Sequence, residues 1–99
     1  MNRAEVWNSI ESELKAARAL LPVGLVESAE GYCEEDFLEY LNNKEYLLAM
    51  EELDGVIEDN ASPSKQFWVH LIKADSLMDN RHSERYKFCL LYTSPSPRD

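Results

Sequence analysis

Apolar side chains recur at spacings of three and four along most of this 99-residue chain, and no stretch longer than a few residues alternates at a period of two. That rhythm matches the 3.6-residue turn of a helix and not the two-residue repeat of a strand, so helices must pack on helices. Trp7, Ile10, Leu14, Ala17 and Leu21 form one stripe, and Phe37, Leu38, Tyr40 and Leu41 a second. Tyr46, Leu47, Met50, Leu53 and Ile57 form a third, with Ala49 and Val56 alongside. Phe67, Trp68, Leu71, Ala74 and Met78 form the fourth.

The breaks between stripes carry stop and start chemistry. Asn2 caps the first helix with Glu5 three residues on, and Pro22 and Gly24 end it. Glu34, Glu35 and Asp36 load the first turn of the second with acids, which favour the positive end of a helix dipole. Asn42-Asn43-Lys44-Glu45 is a turn with an Asn cap for the third. Ser62 caps the fourth, Pro63 suits its first position, and Asn80 suits a left-handed end. Gly55 sits inside the third helix, where it costs about 1 kcal/mol relative to Ala and marks either a close crossing or a weak spot. The expected fold is all-α: a small antiparallel bundle of about four helices over residues 3–21, 33–41, 44–59 and 63–79.

Charge is unevenly distributed. The formal net charge is −9. Residues 1–24 are neutral, residues 25–61 hold twelve acids against Lys44 alone, and residues 62–99 carry a small positive excess. Such a chain repels phosphate, so nucleic acid is not its partner. No apolar run approaches the roughly 20 residues of a transmembrane helix. On a merely solvated helix, Glu is usually interleaved with Lys at i+4 for a few tenths of a kcal/mol. Glu51, Glu52, Asp54, Glu58 and Asp59 have no basic neighbour within a turn. Self-repulsion of that kind is relieved by a cationic visitor, which the acidic field would also steer. The alternative is a solvated face that only keeps a small protein soluble.

The residues favour binding over catalysis. His70 and His82 stand twelve apart with no metal-ligand spacing, and Asp79-x-x-His82 is a single copy at a helix end. No Gly-rich phosphate loop or nucleophile elbow occurs, and the abundant carboxylates lie on open helix surface. No catalytic, cofactor or metal residue is therefore expected. Of the two cysteines, Cys89 belongs to the C-terminal string set aside below, and the remaining Cys33, without a partner, fits a reducing, cytoplasmic setting.

Cys89-Leu90-Leu91-Tyr92-Thr93-Ser94-Pro95-Ser96-Pro97-Arg98-Asp99 resembles, at all eleven residues, the in-frame translation of a transposase adapter used in sequencing libraries. Such a scar is set aside before fold reasoning. The expected domain is residues 1–88, with 89–99 a non-native tail, and the net charge of −9 is unchanged because Arg98 and Asp99 cancel.

The run from Phe37 through Leu53, Phe37-Leu38-Glu39-Tyr40-Leu41-Asn42-Asn43-Lys44-Glu45-Tyr46-Leu47-Leu48-Ala49-Met50-Glu51-Glu52-Leu53, followed by Phe67-Trp68, resembles small acidic helical immunity proteins of bacterial polymorphic and contact-dependent toxin systems, notably the MafI-like group. The resemblance covers residues 33–79 and implies a non-catalytic protein that neutralises a basic, nuclease-type toxin by binding it. Tyr40 and Ala49, nine apart, also resemble positions of one degenerate tetratricopeptide unit, although a single unit cannot bury its own face.

The expected contact residues are Glu34, Glu35, Asp36, Glu39, Glu51, Glu52, Asp54, Glu58 and Asp59, with Tyr40 as an apolar anchor. Charge reversal at Glu51 plus Glu52 is expected to slow association and leave stability within about 0.5 kcal/mol. The competing expectation is a helical adaptor that grips its partner with Phe67 and Trp68 in an apolar groove.

Overall fold

A computed structural model describes residues 3–21, 31–58 and 64–93. Among these, five helices follow one another: α1 (Arg3–Arg18), α2 (Glu34–Asn42), α3 (Tyr46–Glu58), α4 (Lys65–Ser76) and α5 (Ser83–Tyr92). No strand occurs among the described residues. The first four helices are the four that the spacing predicts, with their ends trimmed by a few residues. Asn2, Pro22, Gly24, Asp59, Ser62 and Pro63 lie outside the described residues.

The stripes turn inward as their periodicity demands. Leu14, Ala17, Phe37, Met50, Leu53, Phe67, Leu71 and Ala74 are fully shielded from solvent and belong to one continuous core. α1 lies chiefly on α4, α2 on α3, and α4 on α5, while α3 also touches α1 and α4. Not every predicted apolar position is inside. Trp7 is 40% exposed, with the Arg3 guanidinium 5.8 Å from its ring centre, and Leu38 is exposed to the same degree. Phe67 and Trp68 are the opposite case. They are buried and meet edge to face at 4.9 Å, so the groove-gripping adaptor has lost its contact residues to the core.

The α2–α3 turn does not use the predicted Asn cap for α3. Lys44 takes a left-handed conformation (φ 61°), the Glu45 N–H reaches back to the Tyr40 carbonyl at 2.8 Å, and the Lys44 N–H reaches Leu41 at 3.1 Å. This is a Schellman closure of α2. The Glu45 carbonyl then accepts the Ala49 N–H to start α3. A left-handed lysine is strained by roughly 1–2 kcal/mol, part of which glycine gives back in chain entropy. Lys44→Gly is therefore expected to stabilise by about 0.5–1 kcal/mol, read as a rise in the urea midpoint with an unchanged slope. At the end of α4 the expectation for Asn80 holds. Asp79 and Asn80 are both left-handed (φ 70° and 53°), and the Asn80 N–H closes on the Asp75 carbonyl.

α5 is the element that periodicity misses. Its one fully buried side chain is Tyr86, which lies 6.0 Å from Trp68 and 5.7 Å from His82, centre to centre. Its start is fixed from α4. The fully buried Asp75 carboxylate accepts the N–H of His82, the residue capping α5, at 3.1 and 3.2 Å on its two oxygens. A carboxylate there also complements the helix dipole. Phe88, Leu91 and Tyr92 point outward, while Cys89 and Leu90 rest partly buried against the core.

Candidate functional site

The predicted contact residues divide into two groups when the helices assemble. Four of them meet internal partners. Glu34 pairs with Arg18 at 3.0 Å, carried on α1. Asp54 takes a two-pronged bond from Arg85 of α5, with Nε at 2.6 Å and Nη2 at 2.9 Å. Glu51 meets the His82 imidazole at 2.7 Å. Glu52 is only 6% exposed, and its Oε2 accepts the Cys33 backbone N–H at 2.9 Å. The expectation that the acids of α3 lack basic neighbours holds along the helix and fails across it, because residues 31 positions away supply an imidazole to Glu51 and a guanidinium to Asp54. No local spacing signals these pairs.

The second group remains open. Glu35 and Glu39 are exposed on α2, Asp36 lies beside them, and among the described residues no cation pairs with any of the three. Tyr40 follows on the same helix, half-buried against the core. The Glu58 side chain and all of Asp59 lie outside the described residues.

Between the two groups is a cleft of about 500 Å³. Tyr32 and Tyr40 line it together with Leu48, Glu51, Glu52, Asp54 and Gly55 of α3, and His82 and Arg85 also border it. Gly55 has its explanation here. A Cβ at that position would stand 2.2 Å from the first ring carbon of Tyr32, so the ring occupies space that any other residue would fill. The close crossing is between α3 and a tyrosine ring, not between two helices. Gly55→Ala gains about 1 kcal/mol of helix propensity. The clash is with the root of the ring, not a flexible tip, so the expected net result is a loss of about 1–3 kcal/mol in chemical denaturation.

Tyr40 reports the local field. Its phenol pKa is raised, first by burial and then by Glu52, Asp36, Glu45 and Glu39. The Cys33 thiol is also raised. The neighbouring Asp36 N–H pulls its pKa down, but burial and the Asp36 and Glu52 carboxylates together outweigh that pull. Cys33 therefore stays a neutral thiol near pH 7 and is a poor nucleophile.

The Cys33 sulfur and the Asp36 and Glu52 carboxylates lie within 4.8 Å of one another. They also sit at the start of α2, where the helix dipole disfavours a cation, and Glu52 already holds the Cys33 N–H. The Asp79-x-x-His82 spacing places no ligand pair on a helix, since Asp79 is in the left-handed turn and His82 faces Glu51. His70, read as a rim residue, bridges α4 to Glu13 of α1 at 2.6 Å. Among the described residues no helix is long and apolar enough to cross a membrane. No family model, curated protein or solved structure matches this chain.

Proposed function

We propose that this chain is a non-catalytic, cytoplasmic binding protein that docks a basic protein on the outer face of α2, as an immunity-type inhibitor docks a toxin. The observation that carries the reading is the acidic row Glu35, Asp36 and Glu39, left without cations although Glu34 and Asp54 are each paired with an arginine. Tyr40 borders that row and supplies the apolar, hydrogen-bonding surface on which interface centres are often built. The reading excludes nucleic acid as partner, in keeping with the net charge of −9. A neutral Cys33 thiol and carboxylates largely tied into pairs support binding over chemistry.

The test is co-expression and binding with the protein encoded beside this one. Tight association that slows as salt rises from 50 to 500 mM supports the reading, since exposed charges are screened over about 10 Å at 0.1 M. Salt-independent association, or a neighbouring product that carries no basic face and does not bind, sinks it.

We also read residues 89–99 as adapter translation. The match at all eleven residues carries this reading. Sequencing the parent locus across Phe88 decides the point, and an unbroken genomic reading frame encoding the same eleven residues overturns it.

A further inference from the structure

The cleft beside Tyr32 and Tyr40 contains a buried acid without a cation, whereas the unpaired acids Glu35 and Glu39 of α2 are exposed. Three carboxylates border it: Glu51, Glu52 and Asp54. Asp54 is answered by the Arg85 guanidinium, and Glu51 by the His82 imidazole. Glu52 is the most deeply buried of the three, and among the described residues it is answered by a peptide N–H and no cation. A buried carboxylate without a countercharge is costly, and an entering cation offsets that cost where its donors meet the carboxylate in good geometry.

The walls suggest which cation fits. Two tyrosine rings border the same space, and the Tyr32 ring is seated against α3 over Gly55. A volume of about 500 Å³ lies in the range of ligand clefts and admits a whole side chain, so the walls decide which cation it suits. A guanidinium is flat, stacks on aromatic faces and carries a fork of donors matched to a carboxylate. An ammonium is compact and strongly hydrated, and it makes less use of the rings. Arg85 already makes the equivalent fork onto Asp54 in the same cleft.

We infer that this cleft is an arginine subsite: one arginine side chain of the basic partner enters it, places its donors on Glu52 and lays its flat face against Tyr40 and Tyr32. The inference rests on the binding reading above and sharpens it, naming the side chain that the partner inserts. It assigns Glu52, predicted as one more member of an acidic patch, the distinct role of terminating a pocket.

The experiment titrates the full chain with N-acetyl-arginine amide, and separately with N-acetyl-lysine amide, by two-dimensional amide NMR. The expected result is a saturable set of shifts confined to Tyr32, Tyr40, Glu52 and Gly55, with arginine binding at least fivefold tighter than lysine. Tyr40→Leu, at a half-buried position, weakens arginine by about fivefold. Glu52→Gln abolishes the saturable shifts. Because Glu52 is buried and Gly55→Ala is itself destabilising, Tyr40→Leu is the deciding variant, and Gly55→Ala is a further check. It displaces the Tyr32 ring without altering charge and also weakens arginine. Shifts confined to Glu35 and Glu39, or equal affinity for the two probes with Tyr40→Leu unaltered, overturn the subsite while leaving the acidic-face reading intact. Absence of any shift overturns it as well. Failure of the acidic-face reading is recognised separately, as salt-independent association of the whole partner.

Discussion

Replacing Tyr86 with alanine is expected to cost about 3–5 kcal/mol, the range for deleting a fully buried aromatic ring. Tyr86 is the one buried side chain of α5, and it packs beside Trp68. Its loss frees the helix that presents Arg85 to Asp54, so the ion pair weakens together with the packing. Thermal and urea melts read the effect directly. Tyr86→Phe is expected to behave in the opposite way. The Tyr86 hydroxyl is buried and meets no hydrogen-bond partner among the described residues, so its removal is neutral or stabilises by about 1 kcal/mol. The same hydroxyl gives an alkaline signature. Burial holds the phenol far above its ordinary range, so the folded chain keeps a proton that the unfolded chain releases above about pH 10. Its contribution is intact below pH 10 and is lost at up to about 1.4 kcal/mol per pH unit above it. Tyr86→Phe flattens that slope. A wild-type stability that does not change between pH 9 and 11 would contradict the assignment.

Charge reversal is expected to separate the two groups of acids. Glu35→Lys with Glu39→Lys costs no more than about 1 kcal/mol, because both side chains are exposed and unpaired and only Glu35 loses a favourable first-turn position, and it slows association with a basic partner at low salt. Glu52→Lys instead removes the acceptor of the Cys33 N–H and puts an ammonium in a buried site, and is expected to cost about 3–5 kcal/mol. The sequence pattern predicts that reversing Glu51 and Glu52 together is harmless to the fold, and the geometry corrects it. Glu52 is buried on Cys33 and Glu51 is engaged by His82. Stopped-flow association and urea titration of the two double variants, one at 35 and 39 and one at 51 and 52, check both halves.

The fold was largely legible because its evidence is local. Spacings of three and four identify α1 to α4, and the left-handed Asn80 follows from a short amide side chain that can bond its own backbone. What escaped is what no window of sequence contains. α5 rests on a single anchor, and one buried tyrosine sets no period. The Lys44 turn uses a left-handed residue that offers no glycine or asparagine as a cue. The acidic run was legible as composition, but its division into tied and open members depends on Arg18, His82 and Arg85, which reach it from 16 and 31 positions away. Gly55 was legible as an anomaly, and the ring that explains it comes from a residue 23 positions earlier.

That last contact ties two distant codons to one another. While Tyr32 occupies the notch on α3, a side chain at 55 is excluded, and filling position 55 strands the ring. Filling position 55 is expected to cost less where position 32 is already small, so the two sites are coupled. In any set of relatives, bulk at one of these places should predict smallness at the other.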